Sequence, residues 1–131
     1  MPDDRARSRG GRILVVDDEP HIRRVLASIL GTRGFEVVEA ADGLEGLDAF
    51  DAGGVDLVIL DLLMPGASGL EVLAKIRTDA RWPETPVIIL TAKGQDTDRE
   101  AALAGGADDF LTKPFSPMKL IARIEEILAA R

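Results

Sequence analysis

Three runs of four residues, Ile13-Leu14-Val15-Val16, Leu57-Val58-Ile59-Leu60 and Val87-Ile88-Ile89-Leu90, contain no polar side chain. A strand with one wet face alternates. A run that is apolar at every position, rich in β-branched residues and bounded by turn residues, has to be covered on both faces. Each run also stops on a polar side chain: the first on Asp17-Asp18-Glu19, the second on Asp61, the third on Thr91. A lone charge is too costly to leave in a dry core. These residues therefore belong at the carboxyl edge of a sheet, where open α/β folds bind their ligands.

The segments between the runs carry the other half of the pattern. Pro20 is a suitable first helical residue, and Ile22, Val25, Leu26, Ile29 and Leu30 recur at helical spacing until Gly31 and Gly34. Phe35–Glu39 reads as a short strand, followed by a helix capped by Asp42 and running through Phe50, with Leu44, Leu47 and Phe50 expected to point inward and Gly53-Gly54 to end it. A helix is expected from about Leu70 to Thr78, another from Asp96 to Ala104, and a last one capped by Ser116 with Leu120, Ile121, Ile124 and Leu128 on its core face. Asp109-Phe110-Leu111-Thr112 is a final strand, ending on Lys113-Pro114. Strand and helix thus alternate five times, which predicts an α/β fold with a five-stranded parallel sheet, right-handed crossovers and five helices on both faces.

A chain of 131 residues fits one domain, and 46% apolar with 30% charged residues is a globular composition. Residues 1–10 mix Asp and Arg with Ser, Gly and Pro, show no apolar period, and read as a flexible arm ahead of a domain over 11–131. The net charge of -7 argues against direct nucleic-acid binding and suits a protein that holds a cation. Without cysteine there is no disulfide or thiolate site. No signal peptide or membrane-spanning stretch stands out, so no membrane contact and a cytoplasmic location are expected.

The chemistry lies in what the parallel topology brings to one edge: Asp17, Asp18, Asp61, Thr91 and Lys113. Converging carboxylates raise one another's proton affinity, and a divalent cation relieves the conflict. Oxygen donors alone favour Mg²⁺. Metal, ammonium and hydroxyl around one carboxylate suit a phosphoryl group in transfer, with Asp61 as nucleophile. Each residue taken alone has a plainer reading. Asp61 or the Asp17-Asp18-Glu19 run can cap a helix, and Thr91 and Lys113 can be ordinary strand-end and turn residues. Two other functions use similar parts. A Mg²⁺-dependent phosphohydrolase would want a second acid two residues beyond its nucleophile, where this chain has Leu63; a nucleotide- or flavin-binding module would find phosphate repelled by Asp17-Asp18-Glu19.

The motifs Val16-Asp17-Asp18-Glu19, Asp61-Leu62-Leu63-Met64-Pro65 with Gly69, Leu90-Thr91-Ala92 and Gly106-Ala107-Asp108-Asp109-Phe110-Leu111-Thr112-Lys113-Pro114-Phe115 together resemble the receiver domain of bacterial two-component response regulators, from about Gly11 to Ala130. The resemblance implies a flavodoxin-like receiver fold with strand order 2-1-3-4-5. It implies that Asp61 accepts a phosphoryl group from a sensor histidine kinase or a histidine phosphotransfer protein. Asp18, Asp61 and the Leu63 backbone carbonyl would ligate Mg²⁺, with Asp17 holding a metal-bound water. Thr91 and Lys113 would bind phosphoryl oxygens, and Phe110 would be the switch aromatic that turns inward as Thr91 moves. The Lys113-Pro114 bond matches one that is usually cis in the family. Such a domain is a signalling switch rather than an enzyme, with at most Mg²⁺-dependent self-phosphorylation and autodephosphorylation. Ser68 departs from an Asp common in the family and is not expected to touch the metal site.

The same resemblance implies an output through the fourth helix, fifth strand and fifth helix to a downstream protein or output domain. Arg99, Asp108, Asp109 and Arg123 fit a charge pattern that pairs copies of some relatives, but Lys119 and Glu125 are reversed, so weak dimerisation at most is expected. Leu63 and Lys93 would flank the path of the hydrolytic water, and a leucine there should slow loss of the phosphoryl group. His21 is expected to be exposed near the kinase-docking face, and Trp82 to anchor a loop. The 131 residues contain no visible DNA-binding or catalytic output domain, which leaves both a stand-alone receiver and a piece of a longer regulator open.

Overall fold

A computed structural model describes residues 10–92 and 96–130. The expected arm at 1–10 lies almost entirely outside the described residues, as does Lys93. Strands β1 (Gly11–Val16), β2 (Phe35–Ala40), β3 (Leu57–Leu60), β4 (Val87–Thr91) and β5 (Asp109–Thr112) alternate with helices α1 (Pro20–Gly31), α2 (Gly43–Asp51), α3 (Gly69–Arg77), α4 (Asp96–Ala104) and α5 (Pro117–Ala129). All pairings are parallel, in the order β2-β1-β3-β4-β5.

The all-apolar runs are buried on both faces, as their composition requires. Odd-numbered members of β1 and β3 (Ile13, Val15, Leu57, Ile59) join Leu26 and Leu30 of α1 and Leu120, Ile121 and Ile124 of α5 in one cluster. Even-numbered members (Leu14, Val16, Val58, Leu60) join Phe50 of α2, Val72, Leu73 and Ile76 of α3, and Ala102 of α4 in the other. The period-2 alternation of a strand thus feeds two separate cores from one uninterrupted apolar run. Truncating a fully enclosed member such as Ile59 to Ala should cost roughly 2–5 kcal/mol.

Helix starts follow local chemistry. The Asp42 side chain accepts the Glu45 N–H (2.9 Å), and Ser116 that of Lys119 (3.3 Å). Ser68 accepts from Glu71 N–H while Glu71 accepts from Ser68 N–H, a complete capping box. That is the physical use of the residue where the family often has Asp. Leu44 departs from the expectation: it is 64% exposed. Gly43 and Gly46 press α2 against its neighbours instead, since a Cβ on Gly43 would collide with Ala67 and one on Gly46 with Val16. The buried stripe of α2 therefore runs through Gly43, Gly46 and Phe50, and Leu44 faces away. Trp82 does anchor its loop, packing edge-on against Phe50 with ring centroids 5.7 Å apart.

Candidate phosphoryl and metal site

The carboxyl ends of β1, β3, β4 and β5 deliver Asp17, Asp61, Thr91 and Lys113 to one edge of the sheet. Among the described residues, Asp17, Asp18 and Asp61 form a group whose ligand atoms lie within 4.8 Å of one another. Asp17 and Asp61 are buried and Asp18 is exposed. Backbone bonds fix this floor: Asp17 N–H donates to Ala40 O (3.1 Å) and Asp61 N–H to Val16 O (2.9 Å). Gly69 completes it from below. A Cβ there would run into the Asp61 carbonyl oxygen and the Leu62 Cα, so only glycine lets α3 start this close to the strand end.

Lys113 Nζ stands 2.9 Å from Asp17 Oδ2, 2.7 Å from Glu19 Oε1 and 3.7 Å from Asp61 Oδ2. Burial works against its charge, but the hydrogen bonds to Glu19 and Asp17 outweigh it and hold the ammonium at about 12. Glu19 is correspondingly lowered, chiefly by its hydrogen bond to Lys113. Asp61 goes the other way. Burial first, then the charge of Asp17, push its carboxyl up to about 6 against the pull of Lys113. Its one backbone donor, Leu63 N–H, is long at 3.4 Å. Thr91 is fully buried, and its hydroxyl has no hydrogen-bond partner among the described residues. An unpaired buried hydroxyl is uncommon in a finished structure and marks a donor waiting for an acceptor. The Lys113–Pro114 bond is cis.

These residues suit a hard divalent cation. The donors are all oxygen and they converge, and the charge of Asp17 adds to burial in raising Asp61. Leu63, whose carbonyl the family resemblance nominates, follows directly on this floor and is 56% exposed. Phe110 is buried in the core beneath α4, and the Arg99 guanidinium donates to its carbonyl oxygen (3.3 Å) and stands 6.0 Å from its ring centroid. His21 is exposed on the first turn of α1.

A family profile for the response regulator receiver domain matches residues 13–125. The chain belongs to that family. It is 48% identical over 121 residues to the transcriptional regulatory protein TcrA of Mycobacterium tuberculosis, covering 92% of this chain and 47% of that one. Against the phosphate regulon transcriptional regulatory protein PhoB of Escherichia coli it is 40% identical over 117 residues, covering 89% and 51%. The chain thus spans about half the length of these curated relatives. Among solved structures, a CheY-like receiver domain protein from Methanospirillum hungatei superposes with a TM-score of 0.87 at 32% identity, covering 92% of this chain and 94% of that one. The chemotaxis protein CheY4 of Vibrio cholerae gives 0.84 at 32% identity, covering 89% and 98%.

Two features of this receiver's site escaped the sequence. Glu19 was legible as an acid at a helix start, yet its side chain makes no capping bond and takes Lys113 instead. Arg23 of α1 reaches back to donate to the Asp17 carbonyl (2.6 Å) while pairing with Glu39 (3.4 Å). Its position at the end of the first turn of an amphipathic helix carried no signal of that contact.

Proposed function

We propose that this receiver takes a phosphoryl group onto Asp61 from a phosphohistidine of a sensor kinase or phosphotransfer protein. An Asp61 carboxylate oxygen attacks phosphorus, the P–O bond forms as the P–N bond breaks, and the departing imidazole nitrogen recovers a proton. Asp61 sits at the strand end with its carboxyl near 6, so at neutral pH it is mostly in the ionised, nucleophilic form. Lys113 and the Thr91 hydroxyl are the donors for phosphoryl oxygens. Asp18, Asp61 and the Leu63 carbonyl would hold Mg²⁺, and Asp17 a metal-bound water. When bound, Mg²⁺ supplies charge neutralisation for the oxygens in transfer. The observation that carries this reading is the conjunction of a destabilised carboxylate, a buried ammonium and an unpaired hydroxyl at one edge.

Signalling, rather than turnover of a substrate, is the function. Residues 11–131 act as one switch, with Thr91 and Phe110 reporting the phosphoryl group to the face formed by α4, β5 and α5. A downstream protein or output domain reads that face; the relatives' names as transcriptional regulators support such an output. The acidic net charge of -7 supports no direct contact of this domain with nucleic acid. The reading keeps the cytoplasmic location and lack of membrane contact expected from the sequence. Among the described residues no helix is long and apolar enough to cross a membrane.

Incubation with acetyl phosphate and Mg²⁺ should add one phosphoryl mass, removable by base. Uptake by Asp61→Asn equal to the wild type would reject Asp61 as the acceptor.

A further inference from the structure

Lys113 has three protons to give, and the carboxylates of Glu19, Asp17 and Asp61 stand around it at unequal distances. Its nitrogen lies 2.7 Å from Glu19 and 2.9 Å from Asp17, whereas Asp61, at 3.7 Å, is beyond hydrogen-bond reach. Glu19 is an unusual partner for it. The residue is the N-cap of α1, yet its side chain makes no capping bond; the N–H at that position is instead taken by Asp17 Oδ1 at 2.9 Å. Glu19 is also outside the group of acids able to converge on a cation, and its side chain is 57% exposed. Its side chain therefore bears on the pocket through Lys113.

We propose that Glu19 is a positioning residue that latches Lys113 off Asp61 until a phosphoryl group arrives. The inference rests on the proposed phospho-acceptor role of Asp61 and adds to it a competitor for the ammonium. A dianionic phosphoryl group on Asp61 offers Lys113 a stronger acceptor than an exposed carboxylate. For the ammonium to reach it, the contact with Glu19 has to lengthen or break. The released carboxylate remains at the N-terminus of α1, where the helix dipole favours an anion, so its release is cheap. The switch then has a second consequence. Thr91 and Phe110 face the core shared with α2, α3 and α4, while Glu19 starts α1, which packs with α5 on the opposite side of the sheet. Loading one carboxylate would register on both faces.

The test uses beryllofluoride with saturating Mg²⁺ as the phosphoryl mimic on the full chain, read by NMR. In the wild type, the side-chain carboxyl carbon of Glu19 should move toward the shift of an unpaired glutamate as the Asp61 site fills. Glu19→Gln should bind the mimic roughly two- to fivefold tighter, the scale of one partly exposed ion pair lost to competition. Glu45→Gln removes an equal charge from the first turn of α2, where the Glu45 side chain accepts the Ala41 N–H and does not pair with Lys113, and should leave affinity unchanged. Equal tightening in both variants would mean bulk charge and no latch. A Glu19 carbon that stays put while resonances of Asp61 and Lys113 respond would overturn the latch and leave the acceptor role standing. No response anywhere would reject both.

Discussion

The two edges of the sheet are built on opposite principles. At the amino edge, the loops entering β4 and β5 are tied together by one side chain. Arg77 of α3 donates to Gly106 O (3.1 and 2.7 Å), Thr85 O (2.6 Å) and Pro83 O (3.1 Å) and pairs with Asp108 (3.2 Å). Asp108 in turn accepts the Val87 N–H (2.8 Å), and Asp56 accepts that of Arg12 (2.7 Å). Arg12 Nε is the exception, buried without a partner among the described residues. At the carboxyl edge, carboxylates face one another, Asp61 is pushed up to about 6, and the Thr91 hydroxyl is unpaired. One edge is satisfied and holds the fold together. The other carries unresolved charge, and that imbalance is what a cation and a phosphoryl group would relieve.

The sharpest way to break this comparison is to unbuild the satisfied edge. Arg77→Met keeps the apolar stem but leaves the Gly106 and Thr85 carbonyls without their donor and Asp108 without its cation. Loss of several hydrogen bonds from a largely covered guanidinium should cost about 2–4 kcal/mol in urea unfolding. Beryllofluoride affinity should hold, because no Arg77 contact reaches the carboxyl edge. A cost below about 1 kcal/mol would show that the amino edge is not the structural one.

The second prediction runs in the opposite direction. The Asp61 carboxyl is raised in the fold from 3.8 to about 6, so its ionised form is disfavoured by folding. The fold therefore loses stability as pH rises from about 4 through about 6, and the full penalty applies above that. Asp61→Asn should stabilise the protein by about 1–3 kcal/mol at pH 7.5, and the advantage should shrink toward zero near pH 4. Mg²⁺ should narrow the same gap at neutral pH by stabilising only the wild type to a significant degree, as any ligand of the native state does. An Asn variant no more stable than the wild type at pH 7.5 would mean that Lys113 already neutralises the edge.

How much of this was legible beforehand follows the same division. The buried strands could be read because apolar runs without alternation have one structural meaning, and the edge residues because each run ends on a polar side chain. The observed order β2-β1-β3-β4-β5 agrees with the family resemblance, and the boundaries of most helices fall within a residue or two of the expected ones. What could not be read were contacts made by long side chains across the chain. Arg77 meets Gly106 and Asp108, and Lys113 meets Glu19, 94 positions away. Neither pair has a period or a spacing that marks it. Leu44 failed for a related reason: helical periodicity cannot foresee that two glycines, Gly43 and Gly46, form the contact face of α2.

The smallest expected effect tests whether the unpaired hydroxyl belongs to function alone. Thr91 is fully buried at the end of β4, with no partner for its Oγ1 among the described residues. Valine has nearly the same shape and no polar atom to leave unsatisfied. Thr91→Val should therefore be neutral or stabilising by up to about 1 kcal/mol, whereas removing a paired buried hydroxyl destabilises. The same variant should impair the response. Without a hydroxyl to follow the phosphoryl oxygens, Phe110, buried nearby in the core under α4, loses its link to Asp61. Phe110 ring shifts on adding beryllofluoride should shrink in Thr91→Val while those of Lys113 persist. A clear loss of stability, or a Phe110 response equal to the wild type's, would mean that the Thr91 hydroxyl belongs with the satisfied groups of the amino edge and not with the site.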